Sequence, residues 1–217
     1  MKKVSLIISS LLISFMFNAC QATNVSVTPS SAPNGSNTDV GEPVNNNVSI
    51  PSVGANTDTN FTNALWAKPK LNTKWVYNAK LNGTENLGDI IINVTKAEEL
   101  NFTVNISAFG TASDKTVEYA KINEFLASTL GTTTTTEKID MTIKFQGQES
   151  VTVPAATYNA YKVVESHKEK NSSNKTDTIT KTEWYVKGIG VVKSETKLTL
   201  ESGATNIGTT ELKEFKK

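Results

Sequence analysis

Ile139, Met141, Ile143 and Phe145 alternate without interruption with Asp140, Thr142, Lys144 and Gln146. Only an extended strand, whose successive side chains leave opposite faces, puts all four apolar groups on one side. The same period of two returns at Ile90, Ile92 and Val94, and at Phe102, Val104, Ile106 and Ala108. It returns more weakly at Val192, Ser194, Thr196, Leu198 and Leu200, with a last strand near Leu212. Threonine, which suits a half-exposed pleated surface, fills many of the outward places. Asn82-Gly83, Gly147, residues 171–174 and Gly203 mark turns between these runs. About ten strands at hairpin spacing predict a mainly β fold, an antiparallel meander with one face wet. One segment departs from the pattern. Ile122, Phe125, Leu126 and Leu130 fall at helical spacing, so a short helix is expected on the concave side of the sheet, capped by Asn123 and stopped at Gly131. The threonine run 132–136 reads equally as a connecting loop or as an exposed strand.

The β pattern does not begin at residue 1. Lys2 and Lys3 precede an uncharged apolar run over residues 4–17, then Asn18, Ala19 and Cys20, the single cysteine of the chain. Positive start, brief apolar centre and small residue at the end make a secretory signal over residues 1–19. The run of about fourteen residues is short of the roughly twenty that span a hydrocarbon core. A lone cysteine placed there resembles the lipid-accepting residue of a bacterial lipoprotein signal. That resemblance implies a mature chain beginning at a lipidated Cys20, held in the cell envelope, with the outer membrane as destination in a Gram-negative cell because Gln21 follows rather than Asp. Two or more acyl chains give stable anchoring. The competing reading is cleavage after Ala22, which releases a cysteine-free secreted protein.

Residues 20–60 are dominated by Asn, Ser, Thr, Val, Pro and Gly, with Asp39, Glu42 and Asp58 as the charges. Such a composition cannot bury enough apolar surface to offset chain entropy, so a tether is expected, with a root-mean-square reach of roughly 35 Å. Residues 61–217 then form one domain, long enough for a real core. The precursor carries a formal charge of +1, and loss of Lys2 and Lys3 with the signal leaves −1. Every basic residue is Lys. Without arginine's planar fork there is no bidentate grip on phosphate, and a near-neutral balance offers no general attraction to nucleic acid.

Catalytic chemistry finds little to work with. A nucleophile needs an activating base, usually His, and His167 stands alone in the polar stretch 165–169, where a solvated surface residue is expected. Zinc needs several Cys or His ligands, so neither a metal site nor another cofactor is expected. Glu98 and Glu99 are adjacent and face opposite ways if extended. Glu183 reads as a strand-face charge near Lys181, or alternatively as a carboxylate shielded by Trp184. No glycine-rich phosphate loop is present. Trp75, Tyr77, Trp184 and Tyr185, with Trp66 and Tyr161, are candidates for a ligand cradle, although aromatic residues in such a domain more often fill the core.

Two stretches carry a family resemblance. Residues 149–164 read ESVTVPAATYNAYKVV and residues 183–195 read EWYVKGIGVVKSE. With Trp75-Val76-Tyr77 as opening strand, the chain resembles bacterial envelope lipoproteins in which a V-P-A-G-T strand precedes an E-W-Y-x-x-G-[IV]-G hairpin. Ala156 stands where that pattern has Gly. The architecture is similar to that of the Lol-type lipoprotein carriers, which implies a single strongly curved, half-barrel-like antiparallel sheet. Those carriers rely on a buried Arg that this chain lacks, so the resemblance implies architecture and no cargo. The expectation is a non-enzymatic envelope lipoprotein, joined to a membrane through Cys20, whose β domain binds an apolar ligand or an envelope protein. The alternatives are a structural or adhesion module without a cavity, and a freely secreted β protein.

Overall fold

A computed structural model describes residues 65–130, 138–171 and 173–217. The expected signal, the tether, Gly131 and the threonine run 132–136 lie outside the described residues. Among the described residues the strands number nine rather than about ten, all in one antiparallel sheet. They are β1 (Lys74–Leu81), β2 (Glu85–Ala97), β3 (Asn101–Ala108), β4 (Thr111–Glu118), β5 (Ile139–Val153), β6 (Ala156–Lys170), β7 (Thr176–Val186), β8 (Gly190–Thr199) and β9 (Thr205–Lys216). The order across the sheet is β4-β3-β2-β1-β9-β8-β7-β6-β5. Every consecutive strand pair except β4 and β5 forms a hairpin, and β1 pairs with β9 to join the two halves. The result is an up-and-down sheet with one seam left unpaired, between β4 and β5. The chain crosses from β4 to β5 through a 3-10 turn (Tyr119–Lys121) and α1 (Ile122–Leu130).

The sheet is strongly rolled. The Ala155 N–H, in the turn between β5 and β6, donates to the Leu212 carbonyl of β9 at 3.0 Å, although β7 and β8 stand between. Register shifts explain how. Bulges at Val76/Tyr77 against β9, at Trp184/Tyr185 against β8, and twice along β5 each insert residues on one strand and bend it. Strand β6 pairs with β7 only over Tyr161–Lys170, so the tip of the β5–β6 hairpin overhangs and folds inward, burying Val151, Val153 and Ala160. The β3–β4 turn is sharp for a different reason. Phe109 and Gly110 both hold positive φ (52° and 81°), the two-residue turn whose twist matches the flanking strands.

Alternation puts Trp75, Tyr77, Ala79 and Leu81 on the inner face of β1, beside Ile90, Ile92 and Val94 of β2 and Phe102 and Val104 of β3. Each fully buried aliphatic side chain contributes roughly 1.5–3 kcal/mol. From α1 the core receives Ile122, Phe125, Leu126 and Leu130, the four residues of its apolar stripe, with Phe125 edge-on to Phe102 at 6.5 Å. Asn123 is not the cap. The chain enters the helix through the 3-10 turn, which places Asn123 inside the first helical turn, where its side chain is used otherwise.

Candidate functional site

At the end of the roll where β7 turns into β8, two residues that precede the sheet come in from outside. The Leu65 carbonyl accepts the Gly188 N–H at 2.7 Å, and Leu65 is wholly buried. Trp66 lies flat against Gly190. A Cβ on residue 190 would fall within the Trp66 ring, and Gly190 holds φ 91°, so only glycine satisfies both demands. The Trp66 ring meets Trp75 edge-on, with centroids 6.0 Å apart. Trp75 in turn donates Nε1–H to the Ile189 carbonyl at 3.0 Å and packs on Phe215. The glycines of the 183–195 motif therefore serve an aromatic floor that reaches back to Trp66.

Behind this floor runs a line of polar contacts, half-buried at Asn123 and buried at Tyr185 and Glu183. Trp66 Nε1–H donates to Asn123 Oδ1 at 3.3 Å, and the Asn123 amide also bonds the Tyr185 hydroxyl. Tyr185 donates its hydroxyl to Glu183 Oε2 at 2.8 Å, and Glu183 Oε1 faces Lys181 Nζ at 2.8 Å. Tyr77 donates to the Val191 carbonyl at 2.8 Å. Burial first, and the nearby Glu183 charge second, push both phenols well above their usual range. They remain protonated donors at any physiological pH. Glu183 is thus both the ion-pair partner of Lys181 and a carboxylate sunk among aromatic residues, although the indole beside it belongs to the other face.

Outside the floor the surface opens into a cleft of about 670 Å³, lined by Trp66, Lys68, Pro69, Leu100, Tyr119 and Ile122 among others. Leu100, at the β2–β3 turn, is 75% exposed. Tyr119 forms a wall, donating to the Pro69 carbonyl at 3.2 Å and stacking on Phe102, with the Lys68 ammonium 4.5 Å from its ring centre. Trp66 is the partition: one side faces the cleft, the other faces Trp75 and Gly190.

The four aromatic residues read from the sequence do not form one cradle. Trp75, Tyr77 and Tyr185 gather at the inner face. Trp184 leaves the opposite side of β7, where its cross-strand neighbours Lys162 and Lys193 lie over its ring at 5.4 and 5.5 Å. Its Nε1–H donates to Glu149 Oε1 at 2.6 Å, and that bond leads the effects that hold the Glu149 carboxyl below its ordinary range. His167 is a correction. It is 5% exposed rather than solvated, on β6 with its ring nitrogens 3.2 Å from Glu165 and 3.0 Å from Glu169. Residues 165, 167 and 169 share one face of an extended strand, and the roll carries that face inward. Leu100, Tyr119 and Asn123 were missed as site residues. A lone leucine beside Glu98 and Glu99 was their faint signal.

Among the described residues, no group of three or more His, Cys, Asp or Glu is placed to hold a metal ion, and no helix is long and apolar enough to cross a membrane. The DUF3108-like family profile matches residues 84–199, more than half of the chain. The chain belongs to the DUF3108-like family. The profile covers β2 to β8, and so supplies Leu100, Tyr119, Asn123, Tyr185 and Gly190 of this site. Trp66, Trp75 and Tyr77 lie outside it. None of the curated proteins matches. Among solved structures this DUF3108-like chain is similar to a candidate lipoprotein of Parabacteroides distasonis, with 16% identity, TM-score 0.47, and coverage of 70% of this chain and 98% of that one. It is also similar to a candidate exported protein of Bacteroides fragilis with a YmcC-like fold, with 14% identity, TM-score 0.45, and coverage of 71% and 100%.

Proposed function

We propose that this DUF3108-like protein is a non-enzymatic lipoprotein of the bacterial envelope, anchored through Cys20, whose rolled sheet binds an apolar ligand at the cleft beside Trp66. The observation that carries the binding half is Leu100, a large apolar side chain left three-quarters exposed on a cleft whose apolar wall is Trp66, Pro69, Tyr119 and Ile122 and whose polar side is Lys68, Glu99, Asn101 and Glu118. Apolar lining with a few polar groups is the common make-up of small-molecule sites. A protein strand added to the free edge of β5 is the weaker reading. Two register shifts interrupt that edge, and bulges of this kind discourage pairing. Lys162, Lys193 and Glu149 around Trp184 belong to the outer face and take no part.

Metabolic labelling with a clickable fatty acid tests the anchor: the wild type takes label and Cys20→Ala does not. Label retained by the variant removes the anchor. For the cleft, Leu100→Glu sets a charge in the apolar mouth and weakens uptake of N-phenylnaphthylamine at least about tenfold, corresponding to about 1.4 kcal/mol. Unchanged uptake rejects the site.

A further inference from the structure

The turns at one end of the sheet present two exposed leucines, and the chain enters the domain at that same end. Resting on the anchor at Cys20, we propose that this end docks on a membrane surface of anionic phospholipid, with Leu71 and Leu100 entering the headgroup boundary and the exposed lysines around them on the phosphates. Docked so, the cleft opens toward the bilayer, and an apolar ligand passes between the two without crossing water.

Topology gathers the residues. Strands β1, β3, β6 and β8 start at this end, and β2, β4, β5, β7 and β9 finish there. Leu71 stands at the outer corner of the turn 70–73, which Thr73 N–H closes on the Lys70 carbonyl at 3.0 Å and in which Asn72 takes the left-handed third place at φ 69°. Leu100 stands at the tip of the β2–β3 hairpin, closed by Glu98 N–H on the Asn101 carbonyl at 2.8 Å. The two turns are tied together. Lys68 Nζ donates to the Glu99 carbonyl at 2.7 Å, and Tyr119, whose N–H holds the Leu100 carbonyl, gives its hydroxyl to Pro69. Leu71 is 57% exposed and Leu100 75%. Leu65, where the described chain enters about 45 residues after Cys20, is bonded to Gly188 in the β7–β8 turn of this end.

Charge decides the partner. Three lysines of this end have glutamate partners there: Lys74 with Glu214, Lys96 with Glu98 and Lys121 with Glu118. Lys68, Lys70, Lys187 and Lys216, all exposed, are then set against Glu99 and Glu124. Each lysine held close to an anionic surface adds about a fivefold gain in partition. A protein partner fits less well, because lysine is depleted from such interfaces and two leucines on turn tips fall far short of the roughly 800 Å² that one must cover. Docking need not be tight. An anchor at Cys20 makes it an intramolecular step, at an effective concentration set by the linking chain. The other exposed apolar pair, Ile139 and Met141, opens β5 at the opposite end, away from the entering chain.

The test uses the mature chain, residues 20–217, carrying Cys20→Ser, so that docking is read without the anchor. Its probes are vesicles of phosphatidylethanolamine with phosphatidylglycerol, compared with phosphatidylcholine vesicles, and cosedimentation reads the bound fraction. Partition to the anionic vesicles is expected to exceed that to the neutral ones at least about tenfold and to fall as salt screens the lysines. Leu71→Ser, outside the cleft lining, is expected to weaken it several-fold while uptake of N-phenylnaphthylamine stays unchanged. Leu71→Ser with Leu100→Ser is expected to weaken it at least about tenfold, whereas Ile139→Ser with Met141→Ser leaves it as it was. All four positions are exposed, and an unchanged urea midpoint confirms that each variant folds. A bimane carried on Glu99→Cys is expected to shift to the blue on anionic vesicles, and one on Ser202→Cys, at the far end, is not. Wild-type partition in the leucine double variant, or equal shifts from the two bimanes, overturns the docking face. No binding to either vesicle, with Cys20 still labelled by fatty acid in cells, overturns the docking and leaves the anchor standing. Light scattering that shows a dimer lost in the leucine double variant assigns this end to a second copy of the chain and overturns the membrane.

Discussion

Changing Tyr185 to Phe removes one oxygen from a wholly buried side chain and leaves its ring in place. That oxygen donates to Glu183 Oε2 at 2.8 Å. The other Glu183 oxygen has Lys181 at 2.8 Å, with the two side chains only 12% and 11% exposed. Removing the donor leaves half of a buried carboxylate unserved, and hydrogen bonds to charged groups are worth about 1.5–3 kcal/mol. Tyr77→Phe is the matched control. Its hydroxyl is equally buried but donates to a neutral carbonyl, that of Val191, at 2.8 Å, so about 0.5–1.5 kcal/mol is expected. Urea unfolding followed by tyrosine and tryptophan fluorescence reads both, as a fall in midpoint at unchanged slope. Glu183→Gln in the Tyr185→Phe background completes a double-mutant cycle, and a coupling energy above about 1 kcal/mol is expected. Equal costs for the two phenylalanine variants, or a cycle that closes near zero, would refute the claim that Glu183 is charged and held by Tyr185.

Acid should unfold the domain through carboxylates that are held low. Asp89 is lowered chiefly by its hydrogen bond from Lys213, and Glu211, which burial alone would raise, is brought below the ordinary range by Lys80 and Lys193. A depressed carboxylate contributes stability above its unfolded pKa, near 3.9–4.3, and loses it as pH falls through the folded value. Stability should thus be flat from pH 7 to about 5 and then fall, less steeply in the Asp89→Asn, Glu211→Gln double variant; an unchanged slope there counts against the assignment. The roll of the sheet is checked by the Ala155 amide, which sits at a hairpin tip yet bonds to Leu212 and should exchange as slowly as the amides of β9. Exchange at the rate of an ordinary turn would mean that the tip does not fold over.

The strands were legible because a half-buried sheet imposes its period on the sequence, as at Ile90, Ile92 and Val94, all buried. Ile139 to Phe145 is a strand as its period predicts, but the four apolar groups do not share a buried face: a register shift with Asp140 at φ 54° breaks the alternation and leaves Ile139 and Met141 exposed, with only Phe145 buried. The helix was legible from the spacing of Ile122, Phe125, Leu126 and Leu130. Its start was not, because the 3-10 turn extends the helical path backwards with no capping side chain at Glu118. Faces were harder. Adjacent Trp184 and Tyr185 leave β7 in opposite directions, and nothing in the pair says which goes inward. The burial of Glu165, His167 and Glu169 had no apolar period to announce it. It depends on charges supplied by the two neighbouring strands: Lys181 stands opposite Glu165 on β7, and Lys138, just ahead of β5, has Nζ 2.6 Å from Glu165 Oε1. The partnership of Trp66 with Gly190 spans more than a hundred residues, and a sequence shows such a contact only as an unexplained glycine.

The strand order gives the site its composition. Because the seam falls between β4 and β5, the first and last strands of the chain lie side by side in the middle of the sheet. The segment entering β1 therefore starts with only β9 between it and β8, and it lays Leu65 and Trp66 on the Gly188–Gly190 turn. The matched family stretch brings the slot, through Leu100, Tyr119, Asn123, Tyr185 and the two glycines, and it ends before β9 and begins after β1. The aromatic floor, Trp66, Trp75, Tyr77 and Phe215, comes from the flanks on either side. Such a division separates two kinds of change: substitutions within residues 84–199 reach the cleft wall at Leu100 and Tyr119 and the polar line that ends at Glu183, whereas substitutions at 65–77 reach the aromatic floor. A ligand seated in the cleft touches Trp66 itself, so it should respond directly to a change there and only indirectly to a change at Trp75, whose ring meets Trp66 edge-on from behind.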